Sequence, residues 1–207
     1  HGKLVDVIRI AVADDQTLVR GALAALLDME DDLQVVGSCG RGDEVVDMVQ
    51  RTNPDVCLLD IEMPGMDGIT VAEHLASTAP TCRVLIVTTF GRPGYLRRAM
   101  DAGVSGFVVK DTPAEQLAKM VRTVHAGQRV IDPDLAAESL MQGHNPLSER
   151  EQQVLRLVEG GASMTAIASE LFLSVGTVRN HVSSAIHKTG AANRTGAAVT
   201  ARERGWL

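Results

Sequence analysis

Aromatic side chains are scarce in this sequence of 207 residues, which contains three Phe, one Trp and one Tyr. Any hydrophobic core must therefore be built mainly from Val, Leu, Ile, Ala and Met. Cysteine is equally sparse: Cys39, Cys57 and Cys82 are far apart and form no CxxC pair. This spacing argues against a disulfide framework or a cysteine metal site. Because Cys57 and Cys82 lie in or beside apolar runs, we expect buried, reduced thiols.

Long apolar runs are also missing. No stretch reaches the roughly 18–20 residues that a membrane-spanning helix needs, and no signal peptide opens the chain. The sequence has neither a GxxxxGK[ST] phosphate-binding loop nor a GxGxxG motif after a strand, which argues against the common nucleotide-binding enzymes. We expect a cytoplasmic protein with no membrane partner.

Charge is distributed unevenly along the chain. The net charge is −6, yet residues 145–207 carry seven Lys and Arg against five Glu, so the remainder of the chain is strongly acidic. Such asymmetry suggests two domains with different partners. Apolar residues make up 45% and charged residues 22%, an ordinary balance for a globular protein.

The first 126 residues alternate apolar runs with amphipathic segments. Most of the runs are nearly continuous in Val, Ile and Leu, as expected of parallel strands covered on both faces. Strand–helix units in series predict an α/β fold with a doubly wound, five-stranded parallel sheet of strand order 2-1-3-4-5. The predicted strands are 7–15, 33–39, 55–60, 83–89 and 106–110, and the predicted helices are 17–29, 42–52, 68–78, 93–102 and 113–126.

Polar side chains stand where several of these strands end. The first strand ends in Asp14-Asp15, the third in Asp60, the fourth at Thr88 and the fifth at Lys110. An open α/β sheet binds its ligands at the carboxyl ends of its strands, beside the point where the strand order reverses. Three carboxylates, a hydroxyl and an amine are therefore expected on one rim.

The sequence VCLLDIEMPGMDG at 56–68 places Asp60 between a buried strand and a turn rich in Met, Pro and Gly. Clustered carboxylates repel one another, and a hard cation such as Mg²⁺, which prefers oxygen ligands, relieves that repulsion. With the charge of an incoming phosphoryl group neutralised, an aspartate can act as a nucleophile and form an acyl phosphate. Lys110 could pair with the carboxylate or with a phosphoryl oxygen, and Thr88 could donate to another.

The last third of the chain predicts four helices. We interpret residues 127–146 as a connection between domains that contains a short helical stretch, and residues 147–207 as an all-α, four-helix domain. Ser148 and Glu151 form a predicted capping box. The stretch MTAIASELFLSVGTVRNHVSSAIHK reads as helix–turn–helix, with Phe172 packing into the turn and Ser174 capping the second helix.

On that second helix, Arg179, Asn180 and Ser183 lie off the apolar face, where a DNA major groove could receive them. Thr177, His181, Lys188 and Arg194 are better placed for phosphates. Taken alone, the amphipathic pattern favours a small helical bundle that binds no nucleic acid over a DNA-binding domain. The full predicted DNA-contacting set is Thr177, Val178, Arg179, Asn180, His181, Ser183, Lys188 and Arg194.

Residues 1–126 resemble the receiver domain of two-component response regulators, through Asp14-Asp15, Asp60 with MPGMDG, Thr88, Phe107 and Lys110. The resemblance implies phosphorylation of Asp60 by a sensor histidine kinase. It also implies Mg²⁺ held by Asp15, Asp60 and the backbone carbonyl of Glu62, with Asp14 assisting through water. Thr88 and Phe107 match the switch pair, in which the hydroxyl moves to the phosphate and the ring turns inward. One departure is Asp111 after Lys110, where many receivers have proline.

Residues 146–199 are similar to the LuxR-type DNA-binding domain, and the two halves together resemble the NarL/FixJ family of response regulators. Ser183 stands where some relatives carry a base-contacting lysine. Within the family, DIEMPG and TTFGRPGYLRRAMDAGVSGFVVKD look most like the branch typified by the regulator of a membrane-lipid desaturase gene. The resemblance implies a transcription factor that forms a homodimer on phosphorylation and binds double-stranded promoter half-sites.

Two other readings remain open. Phosphatases of the haloacid dehalogenase class also use an aspartate after a strand, but within D-x-D-x-T/V; here Glu62 replaces the second Asp and Pro64 the Thr or Val. We therefore do not expect an enzyme that turns over an external substrate. Alternatively, the acidic pocket is vestigial and the protein regulates transcription constitutively.

Overall fold

The computed structural model describes residues 6–89, 93–141 and 145–207, which form two compact units. The first contains a parallel sheet with helices packed on it, and the second is helical. Residues 1–5 and 90–92 of the predicted receiver and residues 142–144 of the predicted connection lie outside the described residues. The predicted fold class is confirmed.

The elements follow the sequence-based assignment closely in the first 125 residues. The strands are β1 Ile8–Ala13, β2 Leu33–Cys39, β3 Val56–Leu59, β4 Arg83–Thr88, β5 Gly106–Val109 and β6 Val130–Ile131. The helices are α1 Thr17–Asp28, α2 Val45–Thr52, α3 Gly68–Thr78, α4 Pro93–Asp101, α5 Ala114–His125, α6 Pro133–Met141, α7 Glu149–Glu159, α8 Met164–Glu170, α9 Val175–Thr189 and α10 Arg194–Glu203. A 3₁₀ turn, Gly42–Glu44, precedes α2.

The sheet has the order β2-β1-β3-β4-β5-β6, with every neighbouring pair parallel. The predicted order of the first five strands is confirmed, but five strands were too few. Segment 127–146, predicted as a connection without a strand, begins with β6 and continues into α6. Val130 donates its N–H to the Ser105 carbonyl at 3.0 Å, and Asp132 donates to the Phe107 carbonyl at 3.2 Å. A strand of two residues is too short to produce an apolar run in the sequence.

Both faces of the central strands are covered, which explains their continuous apolar sequences. All four residues of β3 are buried. One face of the sheet packs Leu58, Leu85 and Val108 against Leu27 of α1 and Val121 of α5. Truncating such a core leucine to alanine typically costs about 2–5 kcal/mol. This packing fixes the strand ends, on which the polar residues stand.

A bulge between β1 and β2 changes their register by one residue between Ile10 and Ala11. The Asp28 carboxylate, at the end of α1, accepts a hydrogen bond from the Val35 N–H at 2.7 Å. This contact supplies a partner for an amide beside the irregular pairing.

In the second unit, helices α7–α10 pack around one small core. The predicted capping box is present: Ser148 accepts from the Glu151 N–H, and the Glu151 carboxylate accepts from the Ser148 N–H. Ser174 caps α9, as predicted. The prediction for Phe172 was wrong, because it is 95% exposed and adopts a left-handed φ of 56° that turns it away from the core. The core residues include Val154, Leu155, Ile167, Val178, Val182, Ala185 and Ala197.

Candidate functional site

Two buried carboxylates meet at the carboxyl ends of the central strands. Asp14 follows β1 and Asp60 follows β3, and Ala13 and Leu59 are paired in the sheet. Asp60 donates its N–H to the Ala13 carbonyl at 2.9 Å. Asp14 is 2% and Asp60 5% exposed, whereas Asp15 faces solvent. One ligand oxygen from each of the three aspartates lies within 4.8 Å of the others.

Lys110 bridges the two buried carboxylates. Its Nζ lies 2.7 Å from Asp14 Oδ2 and 2.9 Å from Asp60 Oδ2. Its backbone N–H donates to the Thr88 carbonyl at 2.8 Å, which ties the end of β5 to the end of β4. The structure thus brings Asp14, Asp60 and Lys110 together at the rim that the strand ends predicted.

Burial and charge act in opposite directions on these groups. Burial raises the pKa of Asp60, and the hydrogen bond from Lys110 offsets only part of that rise. Burial lowers the pKa of Lys110, but its hydrogen bonds to Asp14 and Asp60 outweigh this effect and hold the pKa above its ordinary value. Asp60 is therefore a carboxylate whose ionised form is incompletely compensated by its surroundings.

The donor set suits a hard divalent cation. Three carboxylates lie at this rim, and Lys110 forms ion pairs with two of them, so the carboxylates outnumber their ion-pair partner. A carbonyl ligand is also available: on the loop after β3, the carbonyls of Ile61 and Pro64 accept backbone hydrogen bonds, whereas among the described residues the Glu62 carbonyl accepts none. Oxygen ligands of this kind match the preference of Mg²⁺.

The loop between β3 and α3 is held by its own backbone. Ile61 donates its N–H to Asp60 Oδ1 at 2.8 Å, and Gly68 donates to the Ile61 carbonyl at 2.9 Å. Asp67 caps α3 by accepting from the N–H groups of Ile69 and Thr70. A Cβ at Gly68 would lie 2.0 Å from the Asp60 carbonyl oxygen, so the close return of the chain requires glycine there.

Arg20 also contacts the site, although the sequence did not indicate a role for it. Its Nη1 donates to the Asp14 backbone carbonyl at 2.5 Å, and the Gln16 N–H donates to Asp14 Oδ1 at 2.9 Å. These contacts orient the end of β1. Arg20 lies in the middle of an amphipathic helix, and nothing in its spacing distinguished it from a surface arginine.

The two residues of the predicted switch pair lie on adjacent strands. Thr88 ends β4 and is 4% exposed; Phe107, on β5, is fully buried and is paired with Ile86. Paired residues in a parallel sheet point to the same face, so Ile86, Thr88 and Phe107 share one face. The ring of Phe107 is therefore already buried in this structure, the position that the switch prediction assigns to it after phosphorylation.

In the second unit, α9 presents polar side chains to solvent. Arg179, Asn180 and Ser183 are exposed, while Val178 and Val182 face the core. Thr177 is half-buried, and its hydroxyl lies 2.8 Å from that of Ser174. His181 is half-buried, and Arg194 is exposed at the start of α10. Including Val178 in the DNA-contacting set was wrong: it is 0% exposed, so its side chain contributes to the core that supports α9.

Lys188 forms an ion pair with Glu151 within the second unit. Its Nζ lies 3.0 and 2.8 Å from the two carboxylate oxygens of Glu151, and Ser184 Oγ donates to the same carboxylate at 2.6 Å. Although burial raises the pKa of Glu151, the hydrogen bonds from Lys188, Ser184 and the Ser148 N–H lower it to about 2. The carboxylate of the capping box thus also fastens α9 to the start of α7. That second role left no sign in the sequence, because its partners lie 33 and 37 residues away.

Comparison with known families agrees with this geometry. Residues 10–122 match the response regulator receiver domain, and residues 145–201 match the bacterial regulatory proteins of the luxR family. Within the described ranges, no helix is both long and apolar enough to cross a bilayer.

Known proteins match this chain over almost its whole length. The chain is 46% identical over 200 residues to the transcriptional regulatory protein DesR of Bacillus subtilis, covering 97% of this chain and 99% of that protein. It is 36% identical to the DNA-binding transcriptional activator DevR/DosR of Mycobacterium tuberculosis, covering 95% and 94%. Among solved structures, it is similar to the response regulator ChrA of a heme-sensing two-component system, with 35% identity, a TM-score of 0.58 and coverage of 98% and 100%.

The acidic rim therefore lies in a domain matched by the receiver model, and α9 in a domain matched by the LuxR-family model. The resemblance to the branch that includes DesR is confirmed by the extent of the match. The chain belongs to the family of two-component response regulators that join a receiver domain to a LuxR-type DNA-binding domain, the NarL/FixJ family.

Proposed function

We propose that this protein is a transcription factor controlled by phosphorylation of Asp60. The observation that carries the proposal is the pair of buried carboxylates, Asp14 and Asp60, that share Lys110 at the carboxyl ends of β1 and β3. Burial raises the pKa of Asp60 although Lys110 is its cationic partner, and a buried carboxylate of this kind is typical of functional sites.

In the proposed reaction, the Asp60 carboxylate attacks the phosphorus of a phosphohistidine on a sensor histidine kinase. The new bond joins the carboxylate oxygen to phosphorus, the bond from phosphorus to the imidazole nitrogen breaks, and the imidazole retains the electron pair. Asp14, Asp15, Asp60 and the Glu62 carbonyl would hold Mg²⁺. When bound, that ion supplies positive charge to the phosphoryl oxygens as they approach the acidic rim.

Three residues of this chain then respond to the new group. Lys110 exchanges its contact with the Asp60 carboxylate for a phosphoryl oxygen, and the Thr88 hydroxyl donates to another. Movement of Thr88 changes the space on the sheet face that it shares with Phe107. The expected result is a changed receiver surface that favours a homodimer.

The DNA-binding step follows from dimer formation. Two LuxR-type domains on adjacent promoter half-sites bind more tightly than one because the second contact becomes intramolecular. Arg179, Asn180 and Ser183 would face base edges, and Thr177, His181 and Arg194 the phosphates. We propose residues 1–126 as the receiver, 127–146 as the connection, which includes β6 and α6, and 147–207 as the DNA-binding domain.

Mass spectrometry of the full chain after incubation with acetyl phosphate and Mg²⁺ tests the phosphorylation step. We expect one phosphoryl group per chain, located on Asp60, and none in Asp60→Ala or after removal of Mg²⁺ with a chelator. Continuous release of phosphate with each chain turning over many donors would instead favour the hydrolase alternative. Absence of modification in the wild type would favour a vestigial pocket.

A further inference from the structure

The loop that follows Asp60 rests on a second, separate turn. Gly42 begins the 3₁₀ turn Gly42–Glu44 and donates its N–H to the Pro64 carbonyl at 3.0 Å. Pro64 lies in the middle of the loop between β3 and α3. The loop therefore has two backbone anchors: the Gly42–Pro64 hydrogen bond and the Gly68–Ile61 hydrogen bond at its far end.

The two turns meet with no room for a side chain at the contact. A Cβ on Gly42 would lie 1.8 Å from the Met66 carbonyl oxygen, a backbone atom that cannot rotate away. On the facing side, Gly65 has a φ of +84°, and a Cβ there would lie 2.4 Å from the carboxylate carbon of Asp43. By contrast, a Cβ on Gly21 in α1 meets nothing within 4 Å.

The Asp43 carboxylate is itself held in place. Arg41 donates to its two oxygens, from Nε at 3.0 Å and from Nη2 at 2.8 Å. These hydrogen bonds lower the pKa of Asp43, so the group that lies against Gly65 is ionised at neutral pH. The turn thus contacts the loop through the backbone N–H of Gly42 and through the side chain of Asp43, which is hydrogen-bonded to Arg41.

We infer that the turn Gly42–Glu44, through Gly42 and Asp43, positions the loop for the phosphorylation of Asp60, which makes Gly42 a positioning residue. Glu62, whose carbonyl is the proposed fourth metal ligand, lies between the two anchors in sequence, two residues from Asp60 and two from Pro64. A loop pushed outward by a side chain at position 42 would move that carbonyl away from the carboxylates. This inference rests on the proposed function, since it concerns the metal and phosphoryl site.

The test compares Gly42→Ala with Gly21→Ala in the full chain. We expect Gly21→Ala to be phosphorylated by acetyl phosphate at the wild-type rate and with the wild-type dependence on Mg²⁺. In Gly42→Ala, the rate at a fixed Mg²⁺ concentration should fall about tenfold or more, because small displacements of reacting groups have large effects on rate. The Mg²⁺ concentration that gives half the maximal rate should rise, a shift that a general loss of stability does not produce. A folded Gly42→Ala with unchanged rate and Mg²⁺ dependence overturns the inference.

A second pair of variants applies if Gly42→Ala does not fold. Asp43→Ala removes the carboxylate that lies against Gly65, and Glu44→Ala removes a neighbouring carboxylate from the same turn, so the two variants change charge equally. We expect Asp43→Ala to raise the required Mg²⁺ concentration several-fold more than Glu44→Ala does. Equal shifts overturn the inference.

The two proposals can fail separately. If the wild type itself is not phosphorylated at Asp60, the proposed function fails. If the wild type is phosphorylated but these variants behave like their controls, only the positioning role fails.

Discussion

The ammonium nitrogen of Lys188 lies 2.8 Å from Glu151 Oε2, in a contact that joins the end of α9 to the first turn of α7. Glu151 is 4% exposed, so its charge depends on this partner. A lysine near the end of the second helix of a helix–turn–helix motif suggests a phosphate contact. The geometry instead assigns Lys188 a role in the stability of the second unit.

Lys188→Ala should therefore destabilise the second unit by about 1–3 kcal/mol, the usual range for losing hydrogen bonds to a buried charged group. The slope of DNA affinity against salt concentration should change little. Denaturant unfolding followed by the fluorescence of Trp206, which lies in this unit, measures the first effect. Arg194→Ala is the matched control: it removes an exposed cation, and it should flatten the salt slope without loss of stability. The reverse pattern would show that Lys188 contacts DNA phosphates.

The low pKa of Glu151 predicts how the second unit responds to acid. Its pKa is lowered to about 2 in the folded state, and an unfolded glutamate titrates near 4.3. The stabilisation is therefore fully present above that unfolded value and is lost as the pH falls toward 2. At higher pH, the lowered pKa of Glu151 stabilises the folded state by about 3 kcal/mol. The difference in unfolding free energy between wild type and Glu151→Gln should shrink steadily from pH 5 to pH 2. A difference that stays constant would contradict this assignment.

Ser183 is exposed on α9 and is the last of the three residues predicted to face base edges. Ser183→Lys adds a cation on the surface expected to face DNA, so affinity for any duplex should rise. The logarithmic salt slope should steepen by about 0.9 per half-site if the new ammonium meets a phosphate. Arg179→Ala should instead reduce the preference for one base pair over another. Competition binding at several salt concentrations distinguishes the two, and an unchanged affinity in Ser183→Lys would place this face of α9 away from DNA.

Magnesium should stabilise the receiver unit through the acidic rim. A raised pKa means that ionised Asp60 costs folding free energy at neutral pH, and a bound cation removes that cost. At a Mg²⁺ concentration 100 times the dissociation constant, linkage gives about 2.7 kcal/mol of stabilisation. We expect the melting temperature of the receiver unit to rise with Mg²⁺ in the wild type and much less in Asp60→Asn. Sodium chloride at equal ionic strength is the control, and an equal rise in both proteins would argue against a site at Asp60.

The strand–helix alternation predicted the sheet because continuous apolar runs separated by amphipathic segments allow few topologies. The same pattern did not predict β6, because two residues are too few to form an apolar run. This strand forms by pairing with the edge of β5. The rim at Asp14, Asp60 and Lys110 was predictable because parallel strands bring their carboxyl ends together.

Contacts between distant segments left no periodic signal. Three residues depend on a partner in another element: Arg20 donates to the Asp14 carbonyl, Gly42 donates to the loop between β3 and α3, and Glu151 accepts from Ser184 of α9. Phe172 shows the opposite failure. An apolar residue beside a turn suggests packing, yet its left-handed backbone leaves the ring in solvent.

The affinity of the full chain for promoter DNA, with and without beryllofluoride and Mg²⁺, tests control by Asp60 most directly. In the wild type, the phosphoryl analogue should tighten binding by about tenfold or more, within the usual range of coupling between two sites. Asp60→Ala should bind with the affinity of the untreated wild type whether or not the analogue is present. Equal affinities of wild type and Asp60→Ala under every condition would contradict the account.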